Sequence, residues 1–264
     1  MRVFLLGATR FSLRCLEAVR EAGQEIVGCA STPEVFSISY APGGVRNVNH
    51  VDFEAVARSH GFPAIPYRRE AREEFRRAVA ALQPDLLLAA GWYYLVDRRL
   101  RSVAPKGAVG LHGSLLPRYR GGAPLVWQII RGEKTAGVTL FYLDDGVDTG
   151  DIVAAREFPI EERDTIADAM ARMEAAAVEL LREYLPRIAV GTAPRIPQDE
   201  SRATVFPQRS PEDGEIDWSR PAEEIRNFIR AQTRPYPGAF TRIGGKKVII
   251  WDADVLEEGE EGRR

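Results

Sequence analysis

Three histidines occur in the 264-residue chain. One of them, His112, stands in "VGLHGSLLPRYRGGAP", residues 109–124, after a short apolar run and before a turn of small residues and proline. Open α/β sheets place their ligand crevice at the carboxyl ends of strands, so an imidazole there is suited to moving a proton. A hydrogen-bonded core histidine fits the same position, and position alone leaves both readings open. The second stretch, "FYLDDGVDTGDIV" at 141–153, puts four carboxylates directly after an apolar strand. As a solvated loop it needs no explanation. As part of a site it would turn one carboxylate toward His112, because a proton-carrying imidazole needs a partner that fixes its tautomer and holds its charged form. Ser114, two residues from His112, raises a Ser-His-Asp hydrolase, but the sequence has no G-x-S-x-G elbow to expose such a serine.

Other chemistries lack their residues. "GATRFS", after the first apolar run, is neither G-x-G-x-x-G nor a Walker loop, although backbone N–H groups at a helix start are suited to an anionic group. No His-x-x-x-His or Cys-x-x-Cys pair occurs, so no metal is expected. His50 and His60 fall in a polar loop and at a helix end, where solvated histidines are common.

Holding His112 and the acidic loop together requires an α/β frame, and the apolar pattern supplies one. Short apolar runs predict strands at 2–6, 26–30, 63–67, 85–91, 107–113 and 137–143, separated by helical periodicity at 11–23, 51–60, 68–82 and 124–133. A long helix at 165–188 closes a first domain, 1–190. The stretch 31–50, rich in Ser, Pro and Gly, reads as a long loop. Residues 191–204 read as a linker into a small C-terminal unit, 205–264, with a helix at 222–232, a hairpin turning at Gly244-Gly245 and a frayed tail.

With 45% hydrophobic and 28% charged residues, this is an ordinary globular composition. The net charge of −2 gives no general pull toward nucleic acid or an anionic membrane. Cys15 and Cys29 each lie in apolar runs and read as buried thiols of a cytoplasmic protein. The opening apolar run is too short for a signal peptide or a membrane span.

Taken together, "LHGSLLPRYRGGAP", then "GVTLFYLDDGVDTGDIV", then "IDWSRPAEEIRNFIRAQTRPYPGAF" resemble the formyltransferases that take a one-carbon unit from N10-formyltetrahydrofolate. The resemblance covers nearly the whole chain. It implies a Rossmann-like, mostly parallel catalytic domain followed by a small α+β unit, with the folate as formyl donor. His112 matches the family's catalytic histidine, and Asp148 matches the aspartate of its Asp-Thr-Gly. Leu88, Gly91, Trp92, Tyr93 and Leu95 would bind the donor together with Leu143, Asp144, Asp145, Gly146 and Val147. An acceptor amine would attack the formyl carbon, and His112 would mediate the proton transfer that releases the folate nitrogen. Arg10, Phe11, Arg118, Tyr119 and Arg120 are candidate acceptor contacts, although Arg118 and Arg120 equally suit holding the motif loop.

One position departs from the family. Two residues before the histidine, where the family carries an asparagine that holds the formyl oxygen, this chain has Gly110. Losing one oxyanion donor costs on the order of 100-fold in rate. A replacement donor filling that space, from Ser114, Tyr119 or a backbone N–H, is the favoured expectation; outright loss is the alternative. A formyl-folate hydrolase or a non-catalytic folate binder stays open for the same reason.

The family's tRNA-modifying members imply a large basic C-terminal domain. Here residues 205–264 hold ten Lys or Arg against twelve Asp or Glu, and residues 31–50 hold a single Arg46. RNA binding requires phosphate neutralisation that this unit does not offer. The resemblance therefore points to a small amine as acceptor, an amino sugar or its nucleotide-linked form, and leaves a homodimer open.

Overall fold

The structure, a computed structural model, describes residues 1–38 and 41–256. Its strands are β1 (Arg2–Leu6), β2 (Glu25–Ser31), β3 (Val35–Ile38), β4 (Ala41–Arg46), β5 (Ala64–Pro66), β6 (Leu86–Ala89), β7 (Ala108–His112), β8 (Arg120–Gly121), β9 (Thr135–Tyr142), β10 (Ile152–Pro159), β11 (Val205–Phe206), β12 (Ala239–Ile243) and β13 (Lys246–Ile250). Its helices are α1 (Arg10–Glu21), α2 (Phe53–His60), α3 (Arg72–Ala81), α4 (Arg98–Arg101), α5 (Pro124–Ile130), α6 (Ile166–Ala189) and α7 (Ala222–Arg230). The central sheet runs β10-β9-β7-β6-β1-β2-β5. β7, β6, β1, β2 and β5 are parallel, and β9 is antiparallel to both β7 and β10. The strand order reverses between β1 and β6, which opens a crevice at their carboxyl ends.

Period-2 alternation divides the core. Val3, Leu5, Leu86, Leu88, Val109 and Leu140 pack with α1 and α6 on one face. Phe4, Leu6, Leu87 and Ala108 pack with Phe75 of α3 and Leu100 of α4 on the other. On β7 this places Gly110 and His112 on the second face, alternating with Val109 and Leu111. The 24-residue α6 starts at a capping box between Thr165 and Asp168 and buries Ile166, Ala169, Leu180 and Leu181 against the sheet. Cys15 and Cys29 are buried free thiols. Among the described residues no helix is long and apolar enough to cross a membrane.

Among the described strands of four or more residues, three were not expected. The stretch 31–50 is not one long loop: β3 and β4 pair antiparallel within it, Val35 with Arg46 and Phe36 with Val45. Its glycines and prolines hid the pairing. β10 was not anticipated, because its outer face is solvated and its Ala and charged residues mask the alternation seen in its burial. The expected hairpin at Gly244-Gly245 joins β12 to β13. Residues 39–40 and the tail 257–264, read from the sequence as frayed, lie outside the described residues.

The proline-rich stretch after α6 is pinned to the catalytic part. Ile196 exchanges backbone hydrogen bonds with Ile152 at 2.8 and 2.9 Å, and β11 pairs with β8. The Thr204 N–H donates to the Pro117 carbonyl, and the Thr204 carbonyl accepts from the Arg120 N–H.

Candidate active site

His112 is the last residue of β7 and is 8% exposed. Its Nε2 lies 2.7 Å from the carbonyl oxygen of Tyr119, an acceptor only, so Nε2 carries a hydrogen and Nδ1 is the nitrogen that gains or loses a proton. Nδ1 faces Asp148 Oδ2 at 3.5 Å. The same Oδ2 accepts from the Gly121 N–H at 2.8 Å, so the Tyr119–Gly121 backbone touches both members of the pair. Gly121 is required there twice over: its φ is +94°, and a Cβ would come within 2.4 Å of the Phe206 carbonyl.

The pair opens onto a cavity of about 400 Å³. Both core faces contribute to it. Trp92, Tyr94, Val96 and Leu143 come from one side, and Phe11, Leu111, Met170, Met173 and Tyr236 from the other. The carboxylates lining it are Asp144 and Asp148 and the imidazole is His112; no Lys or Arg lines it among the described residues. Leu95 and Val147 stand on its rim 76% and 56% exposed, an apolar edge that a bound ligand would cover. The Trp92 indole N–H is buried without a hydrogen-bond partner among the described residues. An Asx turn shapes the acidic loop, with Asp144 Oδ1 accepting from the Gly146 N–H at 3.0 Å and the Thr149 hydroxyl at 2.7 Å.

Of the residues expected to bind the donor, Gly91, Trp92, Leu95, Leu143, Asp144, Gly146 and Val147 line the cavity. Leu88 is buried in the sheet core, Tyr93 donates to Asn47 Oδ1 at 3.3 Å, and Asp145 pairs with Arg101. Phe11 lines the cavity, whereas Arg10 is exposed beside it.

The candidates on the motif turn are committed elsewhere. Ser114 donates to the Arg118 carbonyl at 2.6 Å, and the Tyr119 hydroxyl donates to Glu133 at 2.6 Å. Burial first, then Glu133, pushes the Tyr119 phenol up to about 12. Arg118 pairs with Glu133, and Arg120 with Glu200. Neither hydroxyl is therefore available as the expected replacement donor, which leaves the backbone N–H of the three candidates; the nearest atoms beside Gly110 are apolar, and a Cβ there would lie 2.8 Å from Leu143 and 3.2 Å from Phe141. The anion site at "GATRFS" is also corrected. Ser12 Oγ accepts from the Ala8 and Thr9 N–H groups at 3.0 Å each, and Arg10 N–H donates to Asn49 O, so those donors are taken.

Sequence reasoning missed Tyr94, Phe141, Met170, Met173 and Tyr236. Tyr236 stands in the "RPYPGAF" stretch, a signal that was present; Met170 and Met173, three apart on α6, read only as core positions.

Comparison with known proteins gives the family. Residues 1–185 match the formyl transferase family model, and residues 209–263 match that of the formyl transferase C-terminal domain. A methionyl-tRNA formyltransferase from Ruminiclostridium cellulolyticum is 31% identical over 259 residues, 98% of this chain and 81% of the relative. Two solved structures share the fold. An N-formyltransferase from Helicobacter canadensis, in complex with folinic acid and dTDP-3-aminofucose, superposes with a TM-score of 0.69 at 20% identity, over 94% of this chain and 86% of that one. A 4-N formyltransferase from Francisella tularensis gives 0.72 at 18% identity, over 96% and 98%. By its family match and its relative along nearly the whole sequence, the chain belongs to the formyl transferase family.

Proposed function

We propose that this protein transfers a formyl group from N10-formyltetrahydrofolate to the primary amine of a small acceptor, with an amino sugar or its nucleotide-linked form as the leading candidate. The observation that carries this reading is His112 Nδ1 facing Asp148 across 3.5 Å on the wall of an apolar-rimmed cavity. The residues fit a flat heteroaromatic donor: Trp92, Tyr94, Leu95 and Leu143 offer apolar surface, and the unpartnered Trp92 N–H and the Asp144 carboxylate offer polar contacts. The donor supplies an activated one-carbon unit. As the amine nitrogen bonds to the formyl carbon, His112 takes the proton it sheds at Nδ1 and Asp148 holds the resulting cation, with Nε2 fixed on Tyr119 O; His112 then gives that proton to the folate N10 as its bond to the formyl carbon breaks. The atoms nearest the space beside Gly110 are carbons of Leu143 and Phe141, so the oxygen charge that develops falls to protonated His112 and backbone N–H groups.

The acceptor assignment draws on charge. The C-terminal unit is net acidic, no cation lines the cavity among the described residues, and Arg118 and Arg120 already have carboxylate partners. A nucleotide would have to keep its phosphates outside the cavity; Arg10, exposed and next in the chain to Phe11, has no ion-pair partner among the described residues. A second reading, methionyl-tRNA as acceptor, draws on the name of the 31% identical relative. The test incubates the protein with N10-formyltetrahydrofolate and a panel of amino sugars, sugar nucleotides, simple amines and methionyl initiator tRNA, and scores mass gain of one formyl group. Formylation of a small amine is expected. Transfer to the tRNA with every small amine inert would replace this reading by the second, and formate release without product would make the protein a hydrolase.

A further inference from the structure

We infer that Gln198 is a positioning residue that aims Asp148 at His112; the inference rests on the reading in which those two residues carry the transfer. Gln198 is half-buried in a run of exposed residues, 195–200, distant in sequence from both motifs. Its Nε2 donates to the Asp148 carbonyl and to the Gly150 carbonyl, each at 2.8 Å. Its Oε1 accepts from Arg120 Nε at 3.1 Å and Nη2 at 2.7 Å. The amide orientation is settled by these partners, because the reverse would set oxygen against two carbonyls and NH2 against a guanidinium. Arg120 is 4% exposed and is held from its other side by Glu200, at 2.6 and 2.8 Å, so the carboxamide is fixed at both ends.

The consequence falls on Asp148. Its φ is +56°, a left-handed conformation that a non-glycine residue holds only with support from its surroundings. Gln198 grips the carbonyls of Asp148 and Gly150, the residues on either side of Thr149, and the Gly121 N–H grips the carboxylate. Gly121 in turn belongs to the Arg120–Gly121 strand whose first side chain holds the Gln198 oxygen. The loop behind His112 and the loop carrying Asp148 are thus joined through one carboxamide that contributes no proton and no charge. Without it, Asp148 is free to leave the left-handed conformation and swing its carboxylate away from Nδ1.

The test is a double-mutant cycle of Gln198→Leu with Asp148→Asn, read in turnover and in donor KM. Gln198→Leu alone is expected to lower kcat roughly 10- to 100-fold, the size of effect a misplaced catalytic group produces, with donor KM changed less than about 2-fold. In the Asp148→Asn background the same substitution should cost less than about 2-fold, because there is no carboxylate left to aim. Equal costs in both backgrounds would overturn the proposal. If Gln198→Leu does not fold, Gln198→Glu runs the same cycle, since it keeps an oxygen for Arg120 and loses both carbonyl contacts. A spectroscopic arm needs no turnover: the Gly121 amide resonance should move in Gln198→Leu in the same direction as in Asp148→Asn. An unmoved Gly121 amide also overturns the proposal, even where failure of every amine to accept formyl has sunk the functional reading instead.

Discussion

The turn that follows His112 and the segment 196–206 lie against each other, and they contribute in opposite ways. In the turn, Leu116, Tyr119 and Arg120 are 7%, 5% and 4% exposed, and the chemistry is carried by the His112 that precedes them. In the segment, Ile196 and Val205 are 53% and 72% exposed, and no residue offers a proton or a nucleophile at the cavity. Yet the segment supplies the parallel pairing of β11 with β8, the Thr204 contacts to Tyr119 and Arg120, and the Gln198 grip on the Asp148 loop. The contrast separates two tasks. Chemistry is written in side chains that point into the cavity, and geometry is held from outside by backbone hydrogen bonds, each contributing about 1 kcal/mol.

Substitutions inside the site sharpen that contrast first. His112→Asn or Asp148→Asn should each lower turnover at least about 100-fold while leaving the thermal midpoint near that of the parent, because each removes proton transfer or its orientation and little packing. Steady-state kinetics with any accepted amine checks this, and activity within a few-fold of the parent would break the assignment. Gly110→Asn should act on stability rather than rescue rate. An asparagine there meets Leu143 and Phe141 and should cost about 1–3 kcal/mol by denaturant titration, partly relieved in combination with Leu143→Ala. A tenfold gain in turnover from Gly110→Asn alone would mean the space accepts an oxyanion donor after all. On the supporting side, Thr204→Val leaves the Tyr119 N–H without its 2.8 Å acceptor, and should cost roughly 1–2 kcal/mol with donor binding preserved. A rate loss as large as that of Asp148→Asn would erase the distinction between the two regions.

The same division explains what the sequence let one read. The strands bearing His112 and the acidic loop were legible because buried parallel strands are continuous apolar runs, and Asp148 only because its Asp-Thr-Gly resembles the formyltransferase motif. β10 and the β3–β4 hairpin were not, since solvated or glycine-rich pairs mask their period. Ser114 and Tyr119 have the right chemistry for a replacement donor. Their commitment to Arg118 O and Glu133 is a matter of rotamer and loop path that residue type does not encode. Gln198 lay in a stretch that reads as linker, and four hydrogen bonds from one carboxamide leave no trace in local pattern.

The most direct measurement is a crystal structure of the protein with folinic acid, the stable 5-formyl relative of the donor. The expected result places the ring system against Trp92, Leu95 and Leu143 and the N10 side of the ligand within hydrogen-bond reach, roughly 3 Å or one water, of His112, with the His112–Asp148 pair still facing each other. Folinic acid bound elsewhere, or bound in the cavity with His112 turned away from Asp148, would contradict the account.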